Sequence, residues 1–367
     1  MRILMLSNMY PTEKAPSFGI FVKNQVEALM NENQVVDVLA ITNPEAGKKN
    51  VMKKYSTWFL QGLKLLIAKG KRYDIVHAHY AFPSGLPARL LKRRFKTPYI
   101  VTCHGGDLNK MAKIGPFFYQ QTQRILVEAD HVIAVGQDLA AQIIDNYRIP
   151  KEKVTILSMG VDRSIFFERP KEEARKHLRL PTDCNHFLYV GNLIEEKGLL
   201  DLVEAYALYR EKDPTAQLHI VGPKNQAVFF QRLQQKIASL RVEDGIFFHG
   251  AKPQTEVAQW MNAADVFVLP SHTEGFGLVA VEAMACGTPV IGTNVGGLRY
   301  LLADQAGEIV PVSQPEPLSQ ALEKVITDQD YRKSLIEVGR KRAETHDKAV
   351  ITKKVIDIYQ EALRQNE

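Results

Sequence analysis

The chain has 367 residues, of which 45% are hydrophobic and 24% are charged, a composition typical of a soluble globular protein. A chain of this length is too long for a single core, so two domains are expected. No window approaches the roughly 18 consecutive apolar residues of a membrane span. The first ten residues predict a strand rather than a signal peptide, and the three cysteines are scattered, which together favour a cytoplasmic protein with reduced thiols.

The net charge of +6 is unevenly distributed. Residues 1–165 hold 23 Lys and Arg against 13 Asp and Glu, whereas the remainder holds 24 against 28. A basic N-terminal half favours an anionic partner, either a membrane surface or a polyanion. Because no nucleic-acid recognition motif accompanies this charge, a nucleic-acid partner is not expected.

The N-terminal half alternates short apolar runs with helical patterns, which is typical of a parallel sheet covered by helices. Gly19 opens the first helix. A glycine there lets a phosphate or an acceptor come close, or simply forms a turn, and the residues leave both interpretations open. The predicted strands lie at residues 2–7, 35–41, 74–78, 99–103 and 131–135.

Residues 47–72 carry eight Lys and Arg and no acid. Basic residues beside aromatic and leucine side chains suit a helix that lies on an anionic membrane surface. The alternative is an ordinary amphipathic helix that packs on the sheet and exposes a basic face to water. The candidate membrane contacts are Lys48, Lys49, Lys53, Lys54 and Trp58.

Histidines follow two of the predicted strands. The strand at 99–103 runs into a His-Gly-Gly-Asp turn at 104–107, and parallel sheets bind ligands at the carboxyl ends of their strands. The glycines allow close backbone approach, so His104 is a site candidate. Asp107 either caps the next helix or meets an acceptor, and His79 is a weaker acceptor-site candidate.

The C-terminal half repeats the alternation, with predicted strands at 187–191, 218–221, 246–250, 265–269 and 290–292. Lys197 directly precedes a predicted helix, where it could meet a diphosphate as a point charge.

A strand–loop–helix–strand unit at 265–297 contains two carboxylates that flank the start of a helix. The exposed amides and partial positive charge of a helix N-terminus suit a phosphate group. Carboxylates accept hydrogen bonds from sugar or ribose hydroxyls, so the stretch fits a nucleotide-sugar donor. On spacing alone the other interpretation stays open, because glutamates near a helix start are common for dipole reasons and are usually solvated. The candidate donor contacts are Glu274, Gly275, Phe276, Gly277, Leu278 and Glu282.

The string EGFGLVAVEAMACGTPVI at 274–291 resembles the donor site of the family-4, retaining glycosyltransferases of the GT-B fold. The resemblance covers nearly the whole chain. The strings Asn-Met-Tyr-Pro at 8–11 and His-Ala-His at 77–79 further resemble bacterial enzymes of cell-surface polysaccharide assembly, of the teichuronic-acid type.

The resemblance implies an α/β protein with two Rossmann-like domains whose parallel sheets face a cleft. Residues 1–165 would form the acceptor-side domain, residues 166–348 the nucleotide-sugar-binding domain, and residues 349–367 a helix that crosses back. The implied reaction transfers a sugar, with retention, from a nucleotide-diphosphate donor to a hydroxyl of a glycan or lipid-linked glycan. A lipid-linked acceptor would place the protein peripherally on the inner membrane face. A UDP-sugar is favoured and a GDP-sugar remains open, and neither a cofactor nor a metal is expected.

The resemblance also implies roles for individual residues. Lys197 would stabilise the leaving diphosphate, Glu274 would hold donor-sugar hydroxyls, and Glu282 would hold the ribose. His104 would contact the sugar from the N-terminal domain. Asn192 stands where the family commonly has Arg, which removes one cation from the donor site.

A second departure is Tyr300, where the family often has Glu. Two alternatives of other classes stay open: a nucleotide-sugar epimerase, and a non-catalytic GT-B-like protein that binds a nucleotide-sugar or a polyanion.

Overall fold

Two parallel β-sheets flanked by helices carry the predicted site residues. The computed structural model describes residues 1–13, 15–16, 18–43, 48–224 and 226–366, without the side chains of residues 48, 49, 51, 52, 63, 64 and 66–70. The chain forms an N-terminal unit, Met1–Gly160 with Lys348–Glu367, and a C-terminal unit, Val161–Asp347. The predicted α/β class is confirmed.

The N-terminal sheet is built from six short apolar strands. They are β1 (Arg2–Ser7), β2 (Val35–Ala40), β3 (Ile75–His79), β4 (Tyr99–Cys103), β5 (His131–Ala134) and β6 (Val154–Ile156). Their order is β2-β1-β3-β4-β5-β6, with every neighbouring pair parallel. Strands β3 and β4 are buried along their whole length, as expected for strands covered on both faces.

Five helices connect these strands: α1 (Ile20–Asn31), α2 (Lys48–Lys69), α3 (Gly85–Phe95), α4 (Pro116–Glu128) and α5 (Gln137–Tyr147). The chain leaves β1 first for β2 on one side and later for β3 on the other. The sheet therefore has a topological switch point between β1 and β3, where α/β proteins bind ligands at the carboxyl ends of the strands.

The C-terminal unit begins with α6 (Lys171–Leu178) and contains a second six-stranded sheet. Its strands are β7 (His186–Val190), β8 (Gln217–Val221), β9 (Ile246–Gly250), β10 (Val266–Leu269), β11 (Val290–Thr293) and β12 (Glu308–Val310). All neighbouring pairs are parallel in the order β12-β11-β10-β7-β8-β9, which puts the switch point between β7 and β10.

The remaining helices complete the two units. Those of the C-terminal unit are α7 (Leu199–Arg210), α8 (Ala227–Leu240), α9 (Gln254–Ala263), α10 (Leu278–Ala285), α11 (Gly296–Leu302), α12 (Pro315–Thr327) and α13 (Gln329–Thr345). The last helix, α14 (Lys348–Arg364), belongs to the N-terminal unit. There Val355 and Tyr359 join the buried core that contains Ile3 and Ile100.

Helix α2 corrects one part of the membrane hypothesis. Trp58 is only 3% exposed, and its indole Nε1 donates a hydrogen bond to the carbonyl oxygen of Leu39 at 3.2 Å. This side chain therefore anchors α2 to the N-terminal unit and is not a membrane contact. The exposed apolar residues beside it are Phe59 and Leu60.

The four candidate lysines of α2 fall into two pairs. Lys53 is exposed, and Lys54 donates from Nζ to the carbonyl oxygen of Asn43 at 3.2 Å. The side chains of Lys48 and Lys49 lie outside the described residues. Within the part of the chain that the structure describes, no helix has the length and apolar character needed to cross a bilayer.

Candidate functional site

The carboxyl ends of β7 and β10 bring together two loops that are far apart in sequence. Gly198 has a φ of +67°, and a Cβ at this position would overlap the carbonyl oxygen of Pro270. The backbone of the loop after β7 therefore packs directly on that of the loop after β10. A hydrogen bond from the His272 N–H to the Glu196 carbonyl oxygen, at 2.9 Å, fixes the same contact.

An ion pair between Lys197 and Glu274 lies where these loops meet. The lysine Nζ is 2.7 Å from the glutamate Oε2, and the side chains are 23% and 15% exposed. The Ser271 hydroxyl donates to the same carboxylate oxygen at 3.3 Å. The two residues that the sequence assigns to the diphosphate and to the donor sugar are thus in direct contact.

Glycines shape the loop that leads from Glu274 into α10. Gly277 has a φ of +92° and immediately precedes Leu278, the first residue of that helix. Gly297 donates its backbone N–H to the Glu274 carbonyl oxygen at 3.2 Å, and a Cβ at Gly297 would overlap the backbone of Gly275. Close backbone packing therefore holds the amides of this loop beside the Lys197–Glu274 pair.

Glu282 lies on the second turn of α10 and is only 7% exposed. Burial raises the pKa of its carboxyl group to about 8, an effect that a hydrogen bond with Gln254 partly offsets. A buried carboxyl group without a counter-ion prefers its neutral form.

In the N-terminal unit, His104 follows β4 and is half-buried among aromatic rings. Its ring centroid lies 4.6 Å from that of Tyr80 and 4.8 Å from that of Phe21. Its Nε2 is 3.0 Å from the Nδ1 of His79. Burial lowers the pKa of His104 to about 3, with a contribution from nearby His77, so the imidazole is neutral at physiological pH.

Comparison with known proteins decides the family. Residues 22–165 match the family described as Glycosyltransferase Family 4, and residues 170–342 match Glycosyl transferases group 1. A D-inositol 3-phosphate glycosyltransferase of Thermobispora bispora is 31% identical over 313 residues, which span 80% of this chain and 72% of that protein. The chain belongs to the family-4 glycosyltransferases of the GT-B fold.

Two further proteins resemble this glycosyltransferase over nearly its full length. TuaC of Bacillus subtilis, assigned to teichuronic acid biosynthesis as a glycosyltransferase, is 27% identical over 370 aligned residues, covering 90% of this chain and 91% of that protein. The structure of Anabaena HepE in complex with UDP and glucose superposes with a TM-score of 0.78 at 19% identity, covering 98% of this chain and 100% of HepE. The latter similarity shows the shared fold.

Asp107 and His79, which the sequence predicts near an acceptor, are both buried in the glycosyltransferase. Asp107 is 1% exposed, and its carboxylate accepts hydrogen bonds at 3.0 Å from the backbone N–H groups of Ala81 and Gly105. Burial raises the pKa of this carboxyl group, while the hydrogen bond from Ala81 opposes the rise. Asp107 therefore braces the His-Gly-Gly turn, and neither it nor the fully buried His79 is open to an acceptor.

Gly19 has a structural explanation in the glycosyltransferase. Its φ is +73°, and a Cβ there would lie 2.7 Å from the backbone carbonyl carbon and oxygen of Met9. The close approach of the loop after β1 requires glycine at this position. The turn interpretation accounts for the residue without a ligand.

Sequence reasoning missed His272, which lies two residues before Glu274. Its Nε2 is 2.6 Å from the Oδ2 of Asp201 on the first turn of α7. This contact ties the loop after β10 to the helix that follows Lys197. The Ser-His-Thr-Glu string at 271–274 was the available signal, but the partner lies 71 residues away in sequence.

The two departures from the family pattern are both on the surface. Asn192 is exposed, and its backbone carbonyl oxygen accepts a hydrogen bond from the Tyr189 hydroxyl at 2.9 Å. Tyr300 is 39% exposed on α11.

Phe276 packs with its ring centroid 4.9 Å from that of His346, so its side chain has a structural role in the loop.

Among the residues that the structure describes, no cluster of three or more His, Cys, Asp or Glu is arranged to hold a metal ion.

Proposed function

We propose that this glycosyltransferase is a retaining enzyme that transfers a hexose from a UDP-sugar to a hydroxyl of a glycan or lipid-linked glycan in cell-surface polysaccharide assembly. A GDP-sugar is the second choice of donor. The observation that carries the proposal is the Lys197–Glu274 pair at the start of α10, beside the amides at 275–277 and close in the chain to the buried Glu282. The HepE complexes with UDP and with UDP-glucose support the choice of donor.

The lysine acts on the leaving group. As the sugar leaves, negative charge develops on the diphosphate, and Lys197 together with the amides at the start of α10 stabilises it by preorganised electrostatics. Glu274 is then shared between Lys197 and the hydroxyl groups of the donor sugar. The ion pair at 2.7 Å holds the lysine Nζ beside the loop that leads into α10, next to these amides.

Glu282 binds the ribose and His104 contacts the sugar in this scheme. Attack takes place on the face that the diphosphate leaves, guided by the leaving phosphate, and no residue is assigned as a covalent nucleophile. The charge on the diphosphate is met by protein groups, so the proposed reaction uses no metal and no cofactor.

The acceptor proposal rests on the relative TuaC and on the surface of α2. Exposed Lys53, Phe59 and Leu60 combine positive charge with apolar side chains, a combination that suits an anionic membrane surface carrying a lipid-linked glycan. The protein would then associate peripherally with that surface.

The test of the donor is a thermal-shift and titration panel of UDP, GDP, ADP and their common sugar conjugates, each with and without Mg²⁺. Selective stabilisation by UDP and its conjugates, independent of Mg²⁺ and lost in Glu282→Ala, is the expected result. Stabilisation by GDP alone would change the donor. A response to none of them would favour a non-catalytic protein whose donor site has been lost with the cation at position 192.

A further inference from the structure

Among the described residues, only one of the two ring nitrogens of the buried His79 has a hydrogen-bond partner. His79 is fully buried at the end of β3, and its Nδ1 lies 3.0 Å from the Nε2 of His104. Its other nitrogen, Nε2, is also buried and has no hydrogen-bond partner among the described residues.

The neighbouring His77 does not compete for the unused nitrogen. Its Nδ1 is 2.5 Å from the Tyr359 hydroxyl and its Nε2 is 2.7 Å from the Thr102 hydroxyl. Both of its nitrogens are therefore occupied, and it contributes only a stacked ring with its centroid 4.7 Å from that of His79. The contact between His79 and His104 is thus separate from the hydrogen bonds of His77.

Only one proton can lie between His79 and His104, and there are two ways to place it. If His104 donates from Nε2, then His79 accepts at Nδ1, and a neutral His79 must carry its proton on Nε2. That N–H would be buried without an acceptor. If His79 donates from Nδ1, its Nε2 keeps a bare lone pair, which is the less unfavourable of the two unsatisfied groups.

The second arrangement determines the tautomer of His104. When its Nε2 accepts from His79, a neutral His104 carries its proton on Nδ1. Burial lowers the pKa of His104 to about 3 and that of His79 well below its usual value, so both rings are neutral near pH 7. Nδ1 is then the ring nitrogen that remains for a ligand.

We propose that His79 is a positioning residue that holds His104 in its Nδ1–H tautomer, so that His104 offers a hydrogen-bond donor to an oxygen of the donor sugar. This inference rests on the proposed function for the identity of the ligand, and on the geometry alone for the tautomer. It also means that His104 does not act as a general base toward the acceptor, because its remaining nitrogen already carries a proton.

The first test needs no substrate. Long-range ¹H–¹⁵N correlation spectra of the full chain with ¹⁵N-labelled histidine, recorded near pH 7, distinguish Nδ1–H from Nε2–H for each ring. His104 is assigned by the signals that disappear in His104→Ala. Protonation of His104 at Nδ1 is expected, and a proton on its Nε2 would overturn the proposal even if the wild-type protein is fully active.

The second test compares two substitutions of similar size. His79→Asn keeps an N–H donor near the position of Nδ1, whereas His79→Leu removes it. The Leu variant should lower kcat with UDP-sugar by roughly tenfold to a hundredfold with KM little changed, and the Asn variant should recover most of the loss. In the Leu variant the His104 tautomer should shift toward Nε2–H, and in the Asn variant it should not.

The outcomes separate this inference from the proposed function. Suppose that the wild type uses no nucleotide-sugar, but that His104 carries Nδ1–H in the wild type and in His79→Asn and loses it in His79→Leu. The proposed function is then wrong, while the control of the His104 tautomer by His79 is confirmed. If His79→Leu loses activity while the His104 tautomer is unchanged, His79 has only a packing role and the inference is wrong. Should the Leu variant not fold, the wild-type spectrum still decides the tautomer.

Discussion

Replacing Glu282 by glutamine should make the stability of the C-terminal unit less dependent on pH. The glutamine has nearly the same shape as the protonated carboxyl group but cannot ionise. In the folded protein, burial raises the pKa of Glu282 from 4.5 to about 8. Folding therefore favours the protonated form, and ionisation of this group opposes folding.

The sign follows from proton binding in the two states. Below pH 4.5 the carboxyl group is protonated in both states, and its contribution to stability is fully present. Between pH 4.5 and 8 the folded state binds more protons than the unfolded state, so stability falls as the pH rises. Each pH unit removes about 1.4 kcal/mol at most, so a rise from pH 5 to pH 7 should cost roughly 2 kcal/mol in the wild type and nothing at this position in Glu282→Gln.

The protein supplies a convenient probe for the assay. Trp58 lies in the N-terminal unit and Trp260 in the core of the C-terminal unit. In a Trp58→Phe background, tryptophan fluorescence during urea unfolding reports on the C-terminal unit alone. The free energy of unfolding is then obtained for one unit and not from the combined unfolding of both units. Glu243→Gln, at an exposed position of the same unit, is the matched control and should follow the parent at both pH values.

The reasoning fails if the stability difference between parent and Glu282→Gln is the same at pH 5 and at pH 7. That result would mean that the buried carboxyl group is already ionised, and that a positive group compensates it. A thermal melt gives an independent reading, since roughly 2 kcal/mol corresponds to a change in Tm of about 4–8 °C for a unit of this size.

Three further changes test the roles of other residues. His104→Ala should lower kcat by roughly tenfold to a hundredfold while the Kd for UDP stays within about twofold, and equal losses in both would assign His104 to donor binding instead. Asn192→Arg should tighten UDP binding by about tenfold because it adds a cation beside the proposed diphosphate site, and an unchanged Kd in calorimetry would separate position 192 from that site. Replacing the four lysines at the start of α2 by glutamine should weaken sedimentation with phosphatidylglycerol vesicles but not with phosphatidylcholine vesicles. Glutamine at four exposed lysines of the C-terminal unit, Lys212, Lys324, Lys333 and Lys341, is the control with the same change in net charge, and equal loss in that control would reduce the effect to net charge.

Much of the framework could be predicted because parallel strands form continuous apolar runs. The strands Arg2–Ser7, Tyr99–Cys103 and Ile246–Gly250 have the predicted bounds. Such runs are bounded by Gly, Pro and charged residues, which mark the ends of elements in the sequence itself.

The residues that were misjudged depend on contacts between distant parts of the chain. Trp58 lies in a basic, amphipathic segment, and its sequence neighbours do not show that its face of α2 packs toward Leu39. His79 was predicted near an acceptor because it follows a strand, but its role depends on its neighbour across the sheet, where β3 pairs with β4. The contact between His272 and Asp201 likewise needs the adjacency of β7 and β10.

The hydrogen bond between His77 and Tyr359 has a consequence for how the protein is made. It joins residues 282 positions apart, and the last helix supplies Val355 and Tyr359 to the core beneath β3. On the ribosome, the N-terminal unit would emerge first but would lack this part of its core until all of Val161–Asp347 had been translated. The C-terminal unit is continuous in sequence, so it could fold before the N-terminal unit is complete. The His77 ring that stacks on His79 would thus gain its tyrosine partner only after the whole C-terminal unit had been translated.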